Sequence, residues 1–216
     1  MSVTCVVVDD GEPNLERCLL SLRNQSIPVT IIVASGPKTN LEVAKKYADK
    51  VMPPTKGIGK ARVKAILEAE TEYIVSADSD TVYDKKYCEY ALEDLKSFEA
   101  VKAGSIRPLE DDSLGWVETA FSLAIPYEYA LAFRKSSFIK YRIHEYDYSD
   151  PRADIGSRLI LHTILWPDFR MQCWSRLPTK AAVGFTTNYL PSLIFGTIPL
   201  ACVGGILGYS ELYSRM

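Results

Sequence analysis

Short runs of β-branched, apolar residues alternate with amphipathic segments through the first half of the chain, and that alternation leaves few folds open. Residues 3–8 (VTCVVV), 29–33 (VTIIV) and the run YIVSA before Asp78 hold too few polar positions for strands with one wet face. They read as strands buried on both sides of a parallel sheet. Val51 and Met52 add a brief further strand. Between them, NLERCLLSLRNQS sets Leu15, Cys18, Leu19 and Leu22 at helical spacing with Asn14 as cap, and LEVAKKYA forms a helix that Asn40 can cap. The loop PPTKGIGKAR leads into a third helix through Leu67; a helix over 84–98, a strand over 100–106 and a polar loop at 110–113 follow. The order predicts an α/β fold with a mostly parallel sheet flanked by helices. Ligands would gather at the carboxyl ends of the strands, where Asp9, Asp10, Ser35 and residues 78–80 fall.

A chain of 216 residues suffices for one domain and an appendage, here divided as 1–160 for the domain, 161–189 for a less regular segment and 190–209 for an apolar one. With 47% hydrophobic and 24% charged residues, a disordered chain is excluded. Lys and Arg number 25 against 27 Asp and Glu, a net charge of −2, which removes the general attraction expected of a nucleic-acid binder. The five cysteines, Cys5, Cys18, Cys88, Cys173 and Cys202, form no CxxC pair, so neither a zinc ribbon nor a disulfide framework is indicated and they read as reduced thiols. His144 and His162 are too isolated for a zinc site.

Residues 190–209, LPSLIFGTIPLACVGGILGY, carry no charge. About 20 apolar residues are what a helix needs to cross a bilayer core, so the segment can span. Pro191, Pro199 and four glycines weaken a helix in water, and the other reading is a segment packed within the protein or against a second copy. Arg170, Arg176 and Lys180 precede it and Arg215 alone follows. A spanning helix would therefore leave the large domain cytoplasmic and membrane-associated, in keeping with an amino terminus that enters a strand without a secretory signal.

The strongest local signal is Ser76-Ala77-Asp78-Ser79-Asp80-Thr81, two carboxylates two residues apart after a hydrophobic strand. Hard oxygen donors in this place suit Mg²⁺ or Mn²⁺ carried by a diphosphate; the plain alternative is a solvated acidic turn that caps the next helix. Lys56, Lys60 and Arg62 lie in or just beyond the glycine-containing loop, where cations can meet a diphosphate or simply form a solvated helix face. GIGKAR lacks the third glycine of a dinucleotide fingerprint.

Taken together, KGIGKARVKAILEAETEYIVSADSDT resembles the central segment of family 2 glycosyltransferases of the GT-A fold, in which a loop, an Ala-Arg pair and a helix precede the strand bearing a DxD motif. VTCVVVDDGEPNLERCLLSLRNQS is similar to that family's opening strand, acidic loop and helix. YALAFRKSSFIKYRIHEYDYSDPRADIGSRL is similar to its later segment, with Asp154 and Arg158 at the matching positions. The chain departs from the family in four places. DDGEP replaces Pro-x-Tyr/Phe-Asn-Glu; IIVASGPK offers Ser35 where acidic residues are usual; Val63 replaces an Asn; and MQCWSR lacks the Gln-x-x-Arg-Trp of polysaccharide synthases.

The resemblance implies an inverting transfer of a sugar from a nucleotide-diphosphate sugar donor. Asp80 and Asp78 would hold the metal, and Asp9, Asp10, Glu12, Ser35, Lys60, Arg62 and Arg158 would line the substrate site. Asp154 would be the base that takes a proton from an acceptor hydroxyl, the alternative being a cap for the helix IGSRLIL. Arg134 and Lys135 are candidates for holding an acceptor phosphate. A membrane segment would give access to a polyprenyl-phosphate acceptor, as in the membrane-anchored members that the architecture resembles; glycan and protein acceptors stay open. The rivals are a nucleotidyltransferase, which would show its basic glycine loop after the first strand, and a degenerate relative that binds without turnover.

Overall fold

The computed structural model describes residues 2–108, 131–149, 155, 158–159 and 168–181. The expectations placed on Asp154, residues 110–113 and residues 190–209 lie outside them. Among the described residues, eight strands form one mixed sheet. In chain order the elements are β1 (Val3–Asp9), α1 (Leu15–Arg23), β2 (Val29–Ser35), α2 (Leu41–Tyr47), β3 (Lys50–Val51), α3 (Ile58–Glu68) and β4 (Tyr73–Asp78). Then follow β5 (Thr81–Tyr83), α4 (Tyr87–Asp94), β6 (Ala100–Pro108), β7 (Leu131–Arg134), α5 (Lys135–Lys140), a 3₁₀ turn (Ile143–Glu145) and β8 (Met171–Ala181).

The strand order is β3-β2-β1-β4-β7-β6-β8-β5. β3, β2, β1 and β4 run parallel, as the alternating sequence pattern predicts. Beyond β4 the direction changes: β7 is antiparallel to both β4 and β6, β8 is parallel to β6, and β5 is antiparallel to β8. Six of the eight described strands thus share one direction and β7 and β5 are reversed, so the sheet is mixed but mostly parallel, as expected. β5 and β8 carry no local signature in the sequence, because each is held by partners distant along the chain.

Period-2 alternation divides the strand side chains between two helical layers. Val3, Cys5, Val7, Ile31, Val33, Val75 and Ala77 pack with Leu15, Cys18, Leu19 and Leu22 of α1, Ala44 of α2, and Tyr87, Cys88 and Ala91 of α4. Val6, Val8, Ile32, Ala34, Ile74 and Phe133 pack on the other side against Ala61, Ala65 and Ile66 of α3 and Phe138 of α5. Ile155 and Leu159, one helical turn apart, join this second layer. Cys5, Cys18 and Cys88 are buried free thiols, as expected, with the sulfurs of Cys5 and Cys88 3.7 Å apart.

The local signals at the helix ends have mixed outcomes. Asn40 caps α2 by accepting from the Val43 N–H at 3.3 Å. Asn14 makes no side-chain cap; instead Asp9 shapes that turn, accepting from the N–H groups of Gly11 and Glu12 at 3.1 Å each. α4 is shorter than the expected 84–98: Asp84 accepts from the Lys86 N–H at 2.9 Å in a turn that precedes the helix, and residues 95–97 form a turn after it. Among the described residues no helix is long and apolar enough to cross a membrane.

The order of the parallel strands fixes where a ligand can sit. From β1 the chain moves outward to β2 and β3, then returns through α3 to place β4 on the opposite side of β1. At such a switch point the connections leave the carboxyl ends of the two central strands in opposite directions and open a crevice. Asp9 ends β1 and Asp78 ends β4, with Val8 and Asp78 in register.

Candidate active site

Asp78 is gripped from both helical layers. From the α1 side, the Cys18 thiol donates to the Asp78 carbonyl at 3.4 Å, and the Asp78 N–H donates to the Tyr83 hydroxyl at 3.3 Å. From the α3 side, Arg62 donates to Asp78 Oδ1 at 2.5 Å and, through its other terminal nitrogen, to Ser76 Oγ at 2.7 Å. Ser76 and Asp78 are alternate residues of β4, so one guanidinium reaches both. Arg62 is 2% exposed and Asp78 20%, so the pair begins in the core and ends at the surface.

Asp80 lies beyond a one-residue turn and accepts from the Thr81 hydroxyl at 3.2 Å. Burial raises its pKa from 3.8 to about 6, the Asp78 charge adds to the shift, and the Glu12 charge contributes further. The same field, after the larger effect of burial, raises the Cys18 thiol. Glu12 is exposed and follows the turn that Asp9 forms. The crevice thus holds a set of carboxylates whose mutual repulsion a cation relieves. Two hard oxygen donors, Asp78 and Asp80, are a sparse set by themselves, and among the described residues no three metal-ligating side chains converge. That chemistry fits a divalent cation delivered with a diphosphate, whose oxygens and water complete the shell.

The loop after β2 is tied to the end of β1 largely through backbone groups. The Gly36 N–H donates to the Asp9 carbonyl at 2.6 Å, and the Thr39 hydroxyl donates to the same carbonyl at 2.7 Å. Asp10 accepts from the Lys38 N–H at 3.0 Å. A Cβ at position 36 would lie 2.4 Å from Asp10 Oδ1, so only glycine allows this approach. Ser35 is fully buried, and its hydroxyl has no hydrogen-bond partner among the described residues. Gly57, at φ +95°, turns the chain into α3 with Lys60 exposed in the first turn.

Asp9, Asp10, Glu12, Ser35, Lys60, Arg62, Asp78 and Asp80 therefore meet on one sheet edge. Arg134 does not. It pairs with Tyr73 at the opposite end of β4, and its guanidinium donates to the Leu95 and Lys96 carbonyls at 2.7 and 2.9 Å. Lys135 likewise donates to the Leu67 and Ala69 carbonyls at 2.8 and 2.5 Å. Both cations close helix ends, where carbonyls lack intrahelical partners, and the expectation of an acceptor phosphate there is corrected. Arg158 lies over the Tyr146 ring at 4.7 Å. Ser76, Cys18 and Tyr83 were missed; a serine in the otherwise apolar run before Asp78 was the available signal for the first.

A mixed sheet with an acidic pair at its parallel switch point is the GT-A architecture of glycosyltransferases. Residues 3–161 match the family Glycosyl transferase family 2, and the chain belongs to that family. It is 31% identical over 96 residues to the Bacillus subtilis protein named "Putative glycosyltransferase EpsH", covering 40% of this chain and 28% of that one. Mannosyltransferase PcManGT from Pyrobaculum calidifontis, solved with GDP-Man and Mn²⁺, superposes with a TM-score of 0.67 at 14% identity, covering 99% of this chain and 75% of that one. S. aureus TarS 1–349 superposes at 0.58 and 14% identity, covering 94% of this chain and 65% of that one. These two likenesses concern the fold.

Proposed function

We propose that the protein transfers a sugar from a nucleotide-diphosphate donor with inversion, in a reaction that depends on Mg²⁺ or Mn²⁺ held by Asp78 and Asp80. The observation that carries this reading is the acidic pair at the switch point of the sheet, with Asp78 at the end of β4 fixed by Arg62 at 2.5 Å and Asp80 largely buried beside it. A divalent ion bound there supplies positive charge to the departing diphosphate. Lys60, exposed at the start of α3, adds a second cation on the same side. Asp10, exposed just beyond the end of β1, is the group that meets the nucleoside, Ser35 being fully buried at the end of β2, while Asp9 keeps the loop in shape through its two backbone hydrogen bonds.

Asp154 takes the proton from an acceptor hydroxyl as that oxygen attacks the anomeric carbon from the face opposite the nucleotide. An acceptor that is already a lipid phosphate needs no base, and Asp154 then orients it. The catalytic domain works on the cytoplasmic side of a membrane to which residues 190–209 attach it.

A thermal-shift screen of nucleotide sugars with and without Mg²⁺ or Mn²⁺ tests the donor reading, since selective binding raises the melting temperature by mass action. Stabilisation by one donor only when metal is present is expected; equal stabilisation in chelator refutes the metal. Asp154→Asn should keep donor binding and lower transfer to a hydroxyl acceptor by at least about 100-fold. Undiminished transfer removes Asp154 as base.

A further inference from the structure

We infer that Arg62 is a positioning residue: its guanidinium stays out of contact with the donor and acts through Asp78, fixing Oδ1 so that the other carboxylate oxygen is the one offered at the sheet edge. The inference rests on the metal-dependent reading above. Its basis is the direction in which the side chain runs. Arg62, Ala65, Ile66 and Ala69 stand at i, i+3, i+4 and i+7 and all are buried, so Arg62 lies on the core side of α3. Lys60 is two residues earlier, about 200° around the helix, and is exposed. The two cations read from one stretch of sequence therefore serve different ends.

Among the described residues the guanidinium is held by Ser76 Oγ at 2.7 Å and Asp78 Oδ1 at 2.5 Å, both on the face of β4 that meets α3. To reach a diphosphate above the strand ends Arg62 would have to leave both, stripping Asp78 of its counter-charge and Ser76 of its donor in a desolvated place. The fork of a guanidinium can hold two oxygens on alternate strand residues at once, which the single point of an ammonium cannot. Held in this way, Asp78 has lost its freedom to rotate before any cation arrives.

The test uses the full chain with two variants, Arg62→Lys, which keeps the charge and loses the fork, and Ser76→Ala, which removes one anchor. Mn²⁺ affinity is read from the electron paramagnetic resonance of the free ion at a fixed excess of UDP or GDP, corrected for Mn²⁺ bound by the nucleotide alone, and UDP and GDP affinities at saturating Mn²⁺ are read from calorimetry. We expect Arg62→Lys to weaken Mn²⁺ binding about 10-fold and Ser76→Ala about 3-fold, with nucleotide affinity at saturating Mn²⁺ within about 3-fold of the parent in both. A 10-fold loss of nucleotide affinity at saturating Mn²⁺ in Arg62→Lys means that Arg62 touches the donor and overturns the inference, as does unchanged Mn²⁺ affinity in both variants. Should Arg62→Lys lack a cooperative melt, Ser76→Ala decides: Mn²⁺ weakened about 3-fold supports the role and unchanged affinity refutes it. A parent chain that binds its nucleotide equally well in chelator refutes the metal reading itself, a result distinct from variants that match a Mn²⁺-binding parent.

Discussion

Replacing Asp80 by Asn should make the metal-free protein more stable while removing its response to metal. Burial and the neighbouring Asp78 raise the Asp80 pKa from 3.8 to about 6, so the folded state holds this proton more tightly than the unfolded chain does. The carboxylate therefore costs the fold nothing below about pH 4, a growing amount between about 4 and 6, and the full amount above that. The rise from 3.8 to about 6 corresponds to an upper bound of about 3 kcal/mol, and partial exposure of the group reduces it to about 1–3 kcal/mol. Asn removes the charge and can still accept from the Thr81 hydroxyl. For a chain of this size that difference is roughly 3–10 °C in melting temperature. Scanning calorimetry of both proteins in chelator from pH 4 to 8 measures it, and a repeat with Mn²⁺ tests the second half of the expectation. Asp80→Asn should melt higher at pH 8, coincide with the parent near pH 4, and gain nothing from Mn²⁺ that stabilises the parent. A variant that melts at or below the parent at pH 8, or a gap that does not change with pH, refutes the electrostatic account.

Gly36→Ala forces a methyl group against Asp10 and should cost about 1–3 kcal/mol in urea denaturation, with nucleotide affinity reduced because the Lys38 loop must shift. Unchanged stability and affinity would mean that the loop gives way freely. Arg134→Ala removes two hydrogen bonds to the carbonyls of Leu95 and Lys96 and should lower stability by about 1–2 kcal/mol while leaving kcat/KM within about 2-fold. A large fall in kcat/KM at unchanged stability would return Arg134 to the substrate site.

The parallel half of the fold was legible because its strands and helices announce themselves locally. In α1, Leu15, Cys18, Leu19 and Leu22 recur at helical spacing and all four are buried. β8 and β5 gave no such signal. β5 is three residues long and pairs with β8 nearly a hundred residues later, so its existence depends on a partner that no local window contains. The change of direction after β4 is hidden for the same reason: a parallel and an antiparallel neighbour ask similar side chains of a strand buried on both faces. Within the site, Asp78 and Asp80 stood out as acids after an apolar run. Arg62 was recognised, but proximity to the loop suggested that it faced outward. The periodicity of Ala65, Ile66 and Ala69 turns it inward, and Ser76 supplies the polar partner that makes a buried cation tolerable. Arg134 misled because a basic pair says nothing about which end of a strand it occupies.

The place of β4 between β1 and β7 also bears on how the protein is made. As the chain leaves the ribosome, β1 to β4 can assemble in order, yet the second flank of β4 stays bare until residues 131–134 have been synthesised. For more than fifty residues of translation, the strand that carries Asp78 is an unprotected edge able to recruit stray strands. Slow decoding across that interval would lengthen the exposure, so yield in a foreign host should respond to codon choice there more than elsewhere in the gene.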